Sequence, residues 1–437
     1  MDNEHKSVSS NTLWVPILWL FVSSFRGYVY PSPDRPQYVE GHAIAITFGV
    51  LMVLGSMILY GRRFALLDLM KENKLIFLLF CILGLSILWS SYPWISFKRW
   101  VKAIGALEMA LIMVTEPDPL ASFSYAARRF FYLVIPSSLV LIFFFPSLGL
   151  HVYPREGTSW VGLFANRNSL ARIAMIFSVY FVWELARKKN EGNAFLDSFC
   201  LLLSLVALIG SGSRTSTLGF LLGVGTLFFV MYLRRRVNVQ DIGMTLGYSL
   251  VAGIVFLLLL EQLFLRESLA EWLVNLLGRD LTFTDRTELW AGLWKVGISR
   301  PFLGHGFGGL WVPGNPVLAD FWKEHTWLPM TAHNGYLAVF LETGLLGLIT
   351  VFLVILNTYT KISRSLATRF DLGSLGIAVL LMLILHNFSE TTLGSLIDPL
   401  WVMFLFMSIS TGSPSVSVVE IQHDRHKVLT RSPRLIP

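Results

Sequence analysis

The sequence predicts an all-α, polytopic membrane protein of about twelve transmembrane helices with a helical insert on one side. Three observations carry that expectation. Of 437 residues, 54% are apolar and only 14% charged, with a mean hydropathy of +0.61. Apolar runs recur at the ~20-residue length that a bilayer core requires. Basic residues cluster between alternate runs, as the positive-inside rule arranges them. The net charge of +7 and pI near 9.4 therefore read as an orientation signal, and nucleic acid is discounted as a partner. Cys81 and Cys200 each sit inside an apolar run as small hydrophobes and imply no disulfide framework.

Taken in order, the expected spans are 12–25, 42–60, 74–90, 99–115, 130–147, 168–186, 195–211, 215–233, 244–265, 334–357, 372–388 and 395–411. The first follows the polar Met1–Ser10 without a small-residue cleavage site, so it reads as a retained span rather than a signal peptide. The chain divides into 1–265 with nine helices, an insert at 266–333, three further helices at 334–411, and a tail at 412–437. The tail mixes Ser, Pro, His and Arg and reads as disordered. No fixed-period repeat is visible.

Loop charges set the expected orientation. Arg62, Arg63, Lys71 and Lys74, then Arg128 and Arg129, Arg187 to Lys189, Arg234 to Arg236, and Lys361, Arg364 and Arg369 mark one side as cytoplasmic, together with both termini. The insert and the turns at 210–214 and 387–394 fall on the other side, where orientation does not explain the basic residues that remain. A charge at a span end costs a few kcal/mol unless it is paired or faces a watered cavity. Arg99 and Lys102, three apart, share a helix face. Arg167 and Arg172 flank the start of the sixth span in F-A-N-R-N-S-L-A-R. Arg214 stands in G-S-G-S-R-T-S-T, where small residues admit a ligand to backbone donors and a helix N-terminus adds partial positive charge. Together they point to an anionic ligand; for any single one, snorkelling to headgroup phosphates weighs about evenly against it.

The insert adds its own chemistry. Asp285-x-x-Glu288 forms a capping box, and Trp290, Leu293, Trp294 and Gly297 follow at helical spacing, which places Arg286 in the first turn of an interfacial amphipathic helix. Pro301 ends it. Gly304-His305-Gly306-Phe307-Gly308-Gly309 matches G-x-G-x-x-G in letters, but no strand precedes it, so it reads as a close-packed backbone turn. His333 and Asn334 directly precede the tenth span, and an imidazole there can exchange a proton near neutral pH. Glu342 lies two turns deeper on the face of Asn334, an intramembrane carboxylate that is functional unless it only pairs with an arginine. His151, His305 and His325 match no metal-ligand spacing, and no metal or other cofactor is expected.

In this order R-T-E-L-W at 286–290, P-F-L-G-H-G-F-G at 301–308 and A-H-N-G-Y-L…E-T-G-L-L-G from 332 to 347 resemble the bacterial O-antigen ligase and polymerase superfamily, which includes exopolysaccharide polymerases. The G-S-G-S-R-T and F-A-N-R-N-S segments are similar to further family elements. The resemblance implies a metal-independent, inverting glycosyltransferase of the membrane-embedded, type C-like class in a bacterial inner membrane, with its reactive centre facing the periplasm. Its implied donor is a glycan on undecaprenyl pyrophosphate, its acceptor a sugar hydroxyl of a glycan or lipid A core, and its further partners membrane lipid and a chain-length regulator. The resemblance assigns Arg214 and Arg286 to the diphosphate and His333 to the acceptor. Arg99, Lys102, Arg167, Arg172, Asn334 and Glu342 are the expected substrate-binding set. This chain has Arg-Thr at 214–215 where Arg-Ser is more familiar, which leaves substrate type open.

Ligase and polymerase share donor chemistry and differ only in acceptor, so the choice between them stays open. A lipid-linked sugar flippase would also need outward cations in a helix bundle, but it should show a repeat or paired broken helices. A structural envelope subunit would need no cations converging near a histidine.

Overall fold

The computed structural model describes residues 11–24, 42–153, 157–187, 194–252, 286–324, 329–393 and 397–412. The expected tail beyond 412, insert residues 266–285 and His325 lie outside the described residues.

The helices are α1 Trp14–Ser24, α2 His42–Gly61, α3 Arg63–Glu72, α4 Lys74–Leu85, α5 Pro93–Val114, α6 Pro119–Phe144, the single turn α7 Pro146–Gly149, α8 Arg167–Arg187, α9 Ala194–Ser211 and α10 Arg214–Arg236. A helix at 242–252, α11, follows. Then come α12 Arg286–Ile298, α13 Ala319–Glu324, α14 Gly335–Thr368, α15 Phe370–His386 and α16 Pro399–Ser410. Proline stands in the first turn of α5, α6 and α16, where its missing N–H is no loss. Asp118 and Asp398 cap α6 and α16 by accepting from Ala121 N at 3.0 Å and Leu400 N at 2.9 Å.

The expectation of about twelve transmembrane helices is corrected. Among the described residues, six helices are long and apolar enough to cross a membrane, or seven if α3 and α4, bent by 90°, form one broken span. Length explains part of the difference: α1, α15 and α16 have 11, 17 and 12 residues. Every residue of α16 from Leu400 to Ser410 is buried in protein, so its apolarity answers to the bundle core and not to lipid. Charge explains another part, since α5 carries Lys98, Arg99, Lys102 and Glu108 within its 22 residues. The expected span at 244–265 is described only as far as 252. The chain remains an α-helical, multi-pass membrane protein.

One short antiparallel hairpin, β1 Leu150–Tyr153 with β2 Gly157–Trp160, was not legible as strands. It ends on Trp160, whose indole lies against Gly210 so closely that a Cβ there would meet it at 2.1 Å. That contact seats the hairpin on the end of α9, just before the turn that opens α10.

Helix packing brings three ends together. α10 packs on α8 and α15, and α15 packs on α14. The N-termini of α8 and α10 and the C-terminus of α15 meet at one end of the bundle, beside the turn at 387–393.

Candidate active site

The turn after α15 gathers side chains from four other elements. Glu390 Oε1 accepts from Asn168 Nδ2, in the first turn of α8, at 2.8 Å and from Arg286 Nη2, the first residue of α12, at 3.2 Å. Arg286 also donates through Nη1 to the carbonyl of Ser389. The Ser389 hydroxyl lies 2.8 Å from that of Thr215, the second residue of α10. Thr391 is 2.8 Å from Thr331, and Thr392 is 3.0 Å from His386 Nδ1. The turn is itself pinned: Asn387 accepts Leu393 N on its side chain at 2.9 Å and Gly335 N on its carbonyl at 2.8 Å.

The Arg286 and Glu390 side chains are only 14% and 11% exposed, so their ion pair is more than a solvent-screened surface contact. Two of the five guanidinium donors of Arg286 are used in these bonds. The remaining donors keep the capacity for an anion.

His333 stands beside this pair. Burial pushes its imidazole below the ordinary value; Glu390 pulls it up and Arg286 presses it down, so both charges are felt at the ring. Its Nδ1 is buried without a hydrogen-bond partner among the described residues. Its backbone has φ of +45°, the one positive φ at a non-glycine among the described residues. Asn334 follows and caps α14, its side chain accepting Leu337 N at 3.0 Å and donating to Phe388 O at 3.3 Å. The cap fixes where the helix starts, and the turn before it fixes the imidazole.

The expected site residues fall into two groups. Thr215, next to Arg214, reaches Ser389 beside the Arg286–Glu390 pair and His333. Arg172 lies on the same end, 2.8 Å from Asp398 in a buried ion pair, and Arg167 reaches Ser159 of the hairpin at 3.4 Å. Arg99 and Glu342 meet elsewhere. Arg99 donates to the Gly308 carbonyl, while the Gly308 N–H bonds the Glu342 carboxylate, which is 3% exposed. Lys102 lies 5.7 Å from the Phe48 ring centre.

Three participants were missed by the sequence reading: Asn168, Glu390 and His386. Glu390 had one signal, a carboxylate in a turn between two apolar runs on the side where unexplained arginines collect. His386 carried none, being the last residue of an apolar helix; it is fully buried, with Nε2 unpartnered among the described residues.

Residues 199–352 match the family model described as O-antigen ligase, a range that includes Arg214, Arg286 and His333. The chain is 24% identical over 289 residues to the exopolysaccharide production protein ExoQ of Rhizobium meliloti (strain 1021), covering 63% of this chain and 62% of that protein. It is 28% identical over 170 residues to a Rickettsia prowazekii (strain Madrid E) protein named "Putative polysaccharide ligase", covering 38% and 40%. The chain thus spans less than two thirds of the length of either relative.

Proposed function

We propose, for a chain that belongs to the O-antigen ligase and polysaccharide ligase superfamily, that it is a membrane glycosyltransferase which moves a glycan from a polyprenyl pyrophosphate carrier to a sugar hydroxyl. The donor of this reading is an undecaprenyl-pyrophosphate-linked glycan, and the reaction takes place on the periplasmic side with inversion at the anomeric carbon. Acceptor choice, glycan chain end or lipid A core, is left to the product.

The observation that supports the reading is the meeting of Arg286, the start of α10 at Arg214, and His333 around Ser389–Glu390. Breaking a glycosyl–pyrophosphate bond sends its electron pair to the departing diphosphate. The Arg286 guanidinium, fixed by a carboxylate and a carbonyl, can receive that charge through hydrogen bonds from its remaining donors. The acceptor oxygen forms the new bond to the anomeric carbon from the opposite face and gives its proton to His333. An imidazole held neutral by burial is in the right state to take it. Glu390 and Asn168 orient Arg286 and touch neither reactant in this scheme.

The test is transfer from a purified lipid-linked oligosaccharide by the full-length protein, with Arg214→Ala, Arg286→Ala and His333→Asn. Asparagine tolerates a positive φ, so this variant removes the base and spares the backbone. Turnover is expected to fall by about 10²-fold or more for His333→Asn, within the usual range for a general base. Near wild-type turnover in all three variants would overturn the reading, as would release of unreacted carrier-bound glycan on the other side of the membrane.

A further inference from the structure

At the opposite end of the same three helices lies a second cationic site. The C-terminal ends of α8 and α10 and the start of α15 enclose a cavity of about 180 Å³. Its charged lining is Arg187, Arg234 and Arg235 against the single carboxylate of Asp371, a net of +2 among the described residues. Two of the guanidiniums lie over aromatic rings. Arg187 lies 4.8 Å from the Trp183 ring centre and Arg234 lies 4.1 Å from that of Phe370, while the Arg187–Asp371 approach is a loose 4.0 Å. A guanidinium laid on a ring face keeps its N–H edges for other acceptors. Trp183 is fixed in turn, its Nε1 donating to Asp371 O at 3.0 Å and Ser374 Oγ at 3.2 Å. Leu227 and Met231 supply an apolar wall to the same cavity.

Orientation alone would ask for basic residues at this end, but it would not ask for a cavity or for stacked guanidiniums facing one. We infer that this cavity is a binding site for the phosphate of an anionic phospholipid headgroup, with the apolar wall against the glycerol end of the lipid. A basic pocket between membrane helices at the headgroup level has that preference on electrostatic grounds. The inference is independent of the glycosyltransferase reading, since the site stands at the other end of α8, α10 and α15 from Glu390.

The experiment is native mass spectrometry of the full-length protein taken from vesicles of phosphatidylglycerol or of phosphatidylethanolamine, with inorganic phosphate as a competing arm. Wild type is expected to retain one phosphatidylglycerol in preference to phosphatidylethanolamine. Arg235→Gln should weaken that retention about fivefold, and adding Arg234→Gln should weaken it by a similar factor again. Arg236→Gln, whose guanidinium lies over Tyr232 at 5.5 Å and does not line the cavity, should leave it unchanged. Unaltered thermal unfolding of Arg235→Gln separates lost binding from lost folding. Equal retention of both lipids, or retention indifferent to Arg234 and Arg235, would overturn the inference. Protection by inorganic phosphate without lipid retention would assign the cavity to a free anion and overturn the lipid source.

Discussion

His333 combines two properties that are costly apart: a left-handed backbone at a non-glycine and a buried ring nitrogen without a partner. Strain of this kind is of order 1–3 kcal/mol and persists where the surroundings impose it. Here the Asn334 cap and the pairing of Thr331 with Thr391 impose it from both sides. The pH behaviour follows from the environment of the ring. Because burial holds its pKa below the usual 6.5, the neutral base survives to lower pH, and the acid limb of transfer is expected below that value. The same shift links to folding: the ring favours the folded state above its unfolded pKa, and that contribution is lost as pH falls toward the folded one. Glu390 raises the imidazole, so Glu390→Gln should move the acid limb further down while lowering turnover through a loosened Arg286. A pH–rate profile of both proteins checks this, and a limb that moves upward in Glu390→Gln would contradict the placement of the carboxylate beside the ring.

Two glycine-rich motifs far apart in the chain turn out to be halves of one element. α14 breaks at Gly344, with φ of +65° and ψ of −161°, a region open essentially to glycine alone. The loop after α12 closes the break reciprocally: His305 N and Gly306 N donate to Leu341 O and Glu342 O at 2.9 and 2.8 Å, while Leu345 N and Leu346 N donate to Pro301 O and Phe302 O at 2.8 and 3.2 Å. Four backbone groups around the kink thereby find partners in a low-dielectric setting. Contact is close enough that a Cβ on Gly344 would lie 2.3 Å from the Phe302 carbonyl carbon, and one on Gly304 2.5 Å from the backbone of Glu342. Gly344→Ala is therefore expected to destabilise the protein by at least about 1–3 kcal/mol from the dihedral alone, with the clash added to it. Thermal unfolding in detergent reads this, with Gly225→Ala, where a Cβ meets nothing within 4 Å, as the control; equal midpoints would refute the stitched kink. Sequence reading could identify a close-packed turn in G-H-G-F-G-G and a span in E-T-G-L-L-G. It could not pair them, because periodicity reports which face of an element is apolar and says nothing of which distant backbone completes it.

At the scale of the whole chain, class was legible and count was not, for one physical reason. Hydropathy measures apolar length, but both lipid and the interior of a helix bundle accept apolar surface, so buried α16 and charged α5 were both counted as spans. The arginines were legible because their cost in a membrane demands an explanation; Glu390 and Asn168 were not, since their meaning lies in what they hold. Sidedness remains as a prediction at this scale, and the fold sharpens it. α8 and α10 run from the Glu390 end to Arg187 and Arg234–Arg236, so the basic cluster and the candidate site stand at opposite ends of two helices long and apolar enough to cross a membrane. By the positive-inside rule the cluster is expected on the cytoplasmic side and the site on the outer side. In a Cys81→Ala, Cys200→Ala background, Asp320→Cys on α13 should react with a membrane-impermeant maleimide in intact cells, while Asn238→Cys after α10 should react only after lysis. Among the described residues Asp320 pairs with Lys323 across an exposed turn, so its replacement disturbs little. Reversed labelling would turn the site toward the cytoplasm, where a carrier-linked glycan awaiting transfer on the outer face could not reach it, and would remove the donor proposed for Arg286.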